Sequence, residues 1–159
     1  MPIHTIKPFF SSDSEILILG SFPSVKSRET GFYYGHPHNR FWNVIANVYG
    51  EPIPRSVEEK KEMLAAHKIA LWDVIASCEI NGSSDASIKN ITVNPVEELI
   101  CSTNVDRIIT NGKTAQKYYE KYLQKKTGLA ACDLPSTSPA NAAYSLEALI
   151  KAWSILLNK

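Results

Sequence analysis

Ile16-Leu17-Ile18-Leu19-Gly20-Ser21-Phe22-Pro23-Ser24 is a short apolar run that stops at a glycine and opens into a polar loop. A continuous apolar run of that length, ended by a turn residue, is the pattern of a strand buried on both faces. Working outward, residues 69–77 read as a second strand through Leu71, Trp72, Val74 and Ile75. Residues 105–109 and 130–134 read as a third and a last strand. Between them the apolar spacing turns helical. Phe41, Trp42, Ile45, Val48 and Tyr49 mark a helix over 39–49 that Gly50 stops. Ser56 with Glu59 three residues on is a capping box, and its helix runs to about residue 67. Asn94-Pro95-Val96-Glu97 reads as an N-cap, a proline at the first helical position and a capping glutamate. A further helix is expected over 114–122, and Leu146, Leu149, Ile150, Trp153 and Leu157 mark a closing one.

Strands that alternate with helices imply a parallel sheet covered on both faces. Ligands of such sheets gather at the carboxyl ends of the strands. The unusual loops, 20–40, 78–90, 110–114 and 134–145, all follow strands, so the site is expected there. Without an internal repeat or linker, residues 1–159 are treated as a single domain.

Composition excludes more than it suggests. No apolar run is long enough to span a bilayer, and no basic-then-apolar leader opens the chain, so a cytoplasmic protein with no membrane partner is expected. Cys78, Cys101 and Cys132 are three and far apart, which fits reduced thiols rather than a disulfide framework or a four-cysteine iron–sulfur cluster. A net charge of +1 gives no nucleic-acid signature, so any DNA footprint is local.

Three segments carry residue types that a plain connector does not need. The first is Gly20-Ser21-Phe22-Pro23-Ser24, running on to Gly35-His36-Pro37-His38-Asn39-Arg40-Phe41-Trp42. The second is Leu71-Trp72-Asp73 with the polar stretch 81–90 behind it, and the third is Leu134-Pro135-Ser136-Thr137-Ser138-Pro139-Ala140-Asn141. Gly20 lets backbone approach a ligand closely, and Pro23 fixes the turn. Phe22 either offers a ring to a base or plugs the core. His36 and His38 lack a cysteine or carboxylate partner, so zinc is not expected; phosphate or base contact, or a structural role, fits them better.

These blocks resemble the uracil-DNA glycosylase superfamily. Gly-Ser-Phe-Pro-Ser is similar to its first motif, and His-Pro-His-Asn-Arg-Phe-Trp to a block of its mismatch-specific branch. Tyr33-Tyr34 before Gly35, Leu-Trp-Asp-Val and Leu-Pro-Ser-Thr-Ser-Pro-Ala-Asn most resemble the hypoxanthine-DNA glycosylase branch. The resemblance runs from about residue 16 to 153. It implies a three-layer αβα sandwich around a central four-stranded, mainly parallel sheet, with DNA across the strand ends. It implies a glycosylase that needs no cofactor or obligate protein partner, acting on DNA that contains a deaminated base.

Many superfamily members carry a carboxylate or amide in the first motif to position water; the loop 20–24 has neither. The resemblance moves that role to Asn39, whose carbonyl oxygen would orient water for a bond that breaks through an oxocarbenium-like sugar. Local pattern alone favours Asn39 as the N-cap of the helix that follows. Both roles coexist only if the side-chain oxygen is shared.

Asp73 falls where uracil-excising relatives carry an asparagine that reads the base edge. A carboxylate accepts but does not donate, which disfavours uracil's O4 and still satisfies the N1–H of hypoxanthine. The competing reading is a strand-end carboxylate that caps a loop. Ser21, Phe22 and His38 are the other expected base contacts.

Phosphate and wedge contacts are expected from Ser24, His36, Ser83, Ser136, Thr137, Ser138 and Pro139, since small hydroxyls bond phosphates and a proline-bearing loop offsets lost stacking. An ordinary helix start at Ser138-Pro139 and a solvated loop around Ser83 are the plainer alternatives. Asn111-Gly112-Lys113-Thr114 lacks P-loop spacing and reads as a strand-to-helix turn. A lyase needs an amine nucleophile, and the first two motifs hold no lysine, so hydrolysis by water is expected. The rival readings are a uracil or mismatch glycosylase of the same fold, and a non-catalytic α/β module that binds nucleotides or nucleic acid.

Overall fold

In the computed structural model, residues 6–22, 27, 31–79 and 89–158 are described. The apolar run forms β1, Ile16–Gly20, with every residue buried. The helix α1, Phe41–Tyr49, buries Phe41, Trp42, Val44, Ile45, Ala46 and Val48. It ends as Gly50 turns left-handed at φ 68° and its N–H meets the carbonyls of Ala46 and Asn47. The capping box forms as read: Ser56 accepts the Glu59 N–H at the start of α2, Val57–Ala66.

After β2, Ile69–Asp73, the single strand expected over 69–77 is instead two. The chain bends at Val74 and continues as β3, Ile75–Glu79, which pairs antiparallel with β4, Lys89–Val93, in a separate two-stranded sheet. Part of the stretch read as a polar loop is therefore strand. Its register slips between Ile75 and Ser77 and again between Ser77 and Glu79, so the alternation that would reveal a hairpin is broken.

Asn94 differs too. The helix α3, Val96–Cys101, starts without a side-chain cap. The Asn94 amide instead donates to the carbonyls of Asp73, at 2.8 Å, and Ile75, at 3.4 Å. These carbonyls flank the bend at Val74, where the backbone leaves one sheet for the other.

The strand expected over 105–109 lies two residues later, as β5, Arg107–Asn111. It leads into α4, Lys113–Tyr122, and the single turn α5, Gln124–Thr127. Then come β6, Ala131–Leu134, and α6, Leu146–Trp153, followed by a 3₁₀ turn over Ser154–Leu157. The main sheet is four-stranded and parallel, in the order β2-β1-β5-β6, and the fold is a three-layer α/β/α sandwich. Ahead of β1, Phe9 and Leu71 exchange backbone hydrogen bonds and cover the outer edge of β2.

Two tryptophans tie this core to the strand-end loops. Trp42 donates its indole N–H to the Tyr33 carbonyl and Trp153 donates to the Pro135 carbonyl, at 3.2 and 2.9 Å. Phe41 meets Trp153 edge to face, so α1 and α6 lock together where those loops leave.

Replacing Asn94 with alanine removes its two carbonyl contacts from a buried site. We expect a loss of about 1–3 kcal/mol of stability, measured by urea denaturation.

Candidate functional site

All four strands of the main sheet point their carboxyl ends at one cavity of about 200 Å³. Its walls are Gly20 closing β1 with Ser21 and Phe22 beyond it, Asp73 closing β2, Asn111 closing β5 with Gly112 to Thr114 beyond it, and Ser136 to Ser138 after β6. Ser27, Tyr33, Tyr34 and Asn39 complete them. Ligand pockets commonly measure about 300–1,000 Å³, so this one is small, with room for a single compact group.

Asp73, 3% exposed, is set by its neighbour across the sheet. A Cβ on Gly20 would lie 2.3 Å from Asp73 Oδ1 and 3.2 Å from the Tyr34 hydroxyl. Gly20 thus makes room for a carboxylate of the chain itself rather than for a ligand. Burial first, and then the nearby Asp73 charge, push both the Tyr33 and Tyr34 phenols far above their usual range. Both stay neutral donors. Tyr33 uses its proton on the Lys7 carbonyl at 2.9 Å.

The Tyr34 hydroxyl is buried and makes no hydrogen bond of acceptable geometry, although the Asn111 side chain stands close enough to favour its ionised form. The Tyr34 backbone is left-handed at φ 54°, an unusual conformation for a bulky residue, and its ring stacks on Phe41 at 4.1 Å. Strain of about 1–3 kcal/mol is the usual cost of such a conformation and gathers at functional sites.

Asn39 shares its side-chain oxygen between two groups of the protein itself. Its Oδ1 accepts the Phe41 N–H at 2.9 Å, which starts α1, and the Thr137 hydroxyl at 2.8 Å. A backbone N–H only donates, so the amide cannot be flipped. Both acceptor positions of the oxygen are filled within the protein, which leaves Nδ2 as the side chain's remaining polar group. Thr137, expected at a phosphate, is instead fully buried. Its hydroxyl accepts from Asn111 Nδ2 at 3.0 Å, while its backbone N–H donates to Asn111 Oδ1 at 3.0 Å.

Of the other expected contacts, Ser21, Phe22, Asp73, Ser136 and Ser138 line the cavity. Phe22 is half-buried, lines the cavity and packs on the core. His36 and His38 lie outside the lining. His36 Nδ1 accepts the His38 N–H at 3.1 Å, which makes the pair a turn within its own loop. Pro139 is exposed beyond the rim, and Ser24 and Ser83 lie outside the described residues. Among the described residues no three metal-ligating side chains cluster.

The reading by motifs passed over Ser27, Tyr34, Asn111 and Lys113 as site residues. Asn111 had a signal: like Asp73, it is a polar residue closing a buried strand on the ligand side of a parallel sheet. Lys113 brings an amine to the cavity wall from outside the first two motifs.

The model of the uracil DNA glycosylase superfamily matches residues 7–157. A hypoxanthine DNA glycosylase of Methanosarcina barkeri is 32% identical over 92% of both chains. One of Methanosarcina acetivorans is 36% identical over 84% of both. An NMR solution structure from Methanosarcina acetivorans, of a protein assigned as a uracil DNA glycosylase, superposes with a TM-score of 0.80. It is 31% identical and covers 96% of this chain and 97% of its own.

Thr137→Val keeps the shape but strips the hydroxyl that joins Asn111 to Asn39. We expect about 1–3 kcal/mol of lost stability, seen as a lower urea midpoint with an unchanged slope.

Proposed function

The chain belongs to the uracil DNA glycosylase superfamily, and on that premise we propose that it is a monofunctional DNA glycosylase that hydrolyses the N-glycosidic bond of a flipped hypoxanthine in base excision repair. The observation that carries this reading is the convergence of Asp73, Tyr34 and Asn39 on one base-sized cavity at the strand ends. The bond is unreachable inside the stack, so the nucleotide turns out of the duplex into the cavity.

Asp73 then accepts the N1–H of the base. The neutral Tyr34 hydroxyl beside it donates to O6, supplying the donor that a carboxylate lacks. Adenine, the parent of hypoxanthine, presents the reverse pattern, an acceptor at N1 and a donor at N6. A buried pair built for the deaminated edge is left unpaired by adenine, and such mismatches give strong rejection. Uracil repeats the pattern with N3–H and O4, so it is the competing substrate, and the smaller ring fills the cavity less well.

The C1′–N9 bond breaks with its electron pair leaving on the base, and positive charge spreads over the sugar. Water adds at C1′ through an oxygen lone pair, and the proton it gives up neutralises the departing base anion, leaving an abasic sugar and free hypoxanthine. Against such a cationic sugar a weak nucleophile suffices. Asn39, fixed by Phe41 and Thr137, places that water by donating from Nδ2.

The test uses labelled strands bearing one hypoxanthine, uracil or xanthine, with and without alkali after incubation. We expect alkali-dependent cutting at hypoxanthine, and a fall of about 10²–10³ in rate for Asn39→Ala, the usual loss for one positioned polar group at a reacting centre. Tyr34→Phe and Asp73→Asn should each cost about ten-fold or more on hypoxanthine. Cutting confined to uracil refutes the base assignment. Cutting without alkali refutes simple hydrolysis and implicates an amine, of which Lys113 is the cavity's own. Binding without cutting of any base ends the enzyme reading.

A further inference from the structure

Arg40 stands next to Asn39, yet its guanidinium turns away from the cavity lining and into the loop beyond β6. It donates to the backbone carbonyls of Ser138 at 3.2 Å, Asn141 at 3.0 Å and Tyr144. Its own backbone N–H donates to the Thr137 carbonyl at 3.1 Å. One residue therefore holds four carbonyls of a single eight-residue stretch, residues 137–144. Guanidinium suits this because its donors are planar and fixed, and a lysine ammonium cannot span such an array.

Apart from Arg40, residues 138–144 are fastened by local turns. Asn141 donates to the Ser136 and Ser138 carbonyls, Ser138 N–H meets Ser136 Oγ at 3.1 Å, Ala140 N–H meets Ser138 Oγ at 3.2 Å, and Tyr144 N–H meets the Asn141 carbonyl at 3.4 Å. Beyond those, its tip is an exposed run of small apolar residues, Pro139, Ala140, Ala142 and Ala143, followed by Tyr144 at 40% exposed. It stands on the rim of the cavity, which Ser136 and Ser138 line from below. A loop that enters a base stack must resist being pushed back, since unstacking costs a few kcal/mol per step. Flexible fastening would spend that energy on deforming the loop.

We propose that Arg40 is a positioning residue that stiffens residues 138–144, so that excision from duplex DNA depends on it while excision from single strands does not. The proposal rests on the glycosylase reading of the cavity. With the base already unstacked, the loop has nothing to displace, and Asn39 keeps its own anchors at Phe41 and Thr137. Three of Arg40's side-chain donations go to carbonyls, which argues against a direct phosphate contact as its main task. A phosphate contact would weaken binding to both kinds of strand and flatten the salt dependence.

The experiment compares single-turnover excision of hypoxanthine from a duplex and from the same strand alone, for the wild type, Arg40→Met and Arg40→Lys. We expect the duplex rate to fall about ten- to a hundred-fold in Arg40→Met, with the single-strand rate held within about two-fold and Arg40→Lys intermediate on the duplex. An equal fall on both substrates, or no fall on either, overturns the proposal. A second readout does not need activity: chymotrypsin should cut after Tyr144 faster in both variants than in the wild type, and an unchanged cutting rate overturns the stiffening. If Arg40→Met does not fold, Arg40→Lys decides by both measures. A wild type that excises from neither strand sinks the glycosylase reading and leaves the protease result to judge Arg40.

Discussion

The Thr137 hydroxyl, taking one hydrogen bond from Asn111 and giving one to Asn39, is the joint on which the strand-end site depends. It sits out of contact with water, where each polar group must find a partner inside the protein. Satisfying it forces three separate segments into register: the end of β5, the loop after β6 and the start of α1. Because the Phe41 N–H can only donate, the amide of Asn39 has one orientation, and the Thr137 proton meets the same oxygen. The helix start then doubles as the support of a residue on the cavity wall. The bond that starts α1 uses Oδ1 and leaves Nδ2 as the side chain's other polar group, a split between two atoms that the local pattern, which favours the cap alone, does not reveal.

The second constraint is the absence of a side chain at Gly20. Parallel pairing brings Gly20 opposite Asp73, and the carboxylate occupies the space that a Cβ would take. A first loop without a carboxylate is therefore not a site without one. The negative charge comes from the neighbouring strand, two tyrosines are held neutral beside it, and the first loop contributes room. The groups at the cavity are a few from the strand ends and the loops after them, and a broad basic face is not needed to explain the cavity.

Much of this was legible in the sequence, for identifiable reasons. Ile16 to Leu19 read as a buried strand because burial on both faces demands an unbroken apolar run, and the Ser56–Glu59 box and Gly50 stop read correctly because each satisfies helix-end groups locally. The β3–β4 hairpin escaped because its register slips remove the period of two on which recognition depends. Asn94 escaped because Asn-Pro before an apolar run is a good helix start, and nothing local reveals that two carbonyls 19 and 21 residues earlier need its amide more. Within the site, Asp73, Phe22 and Asn39 were found from their motifs, whereas Thr137 was given the wrong environment. A threonine between two serines in a loop looks solvent-facing until the fold encloses it.

Arg40 shows the same limit from the other side. In sequence it is one basic residue in a block that resembles a nucleic-acid enzyme, with no role assigned to it. Its geometry supplies one. The residues that its guanidinium reaches lie about a hundred positions away and offer only carbonyls, so its charge is spent inside the protein. The consequence is a division of labour along adjacent residues. Asn39 is fixed by the helix start and Thr137, and Arg40 fixes the loop that borders the cavity. Since Arg40 N–H also meets the Thr137 carbonyl, both lead back to the same joint. The pocket that would hold the base and the rim that would open the duplex are thus set by neighbouring residues at one helix end, and any shift of α1 moves the two together.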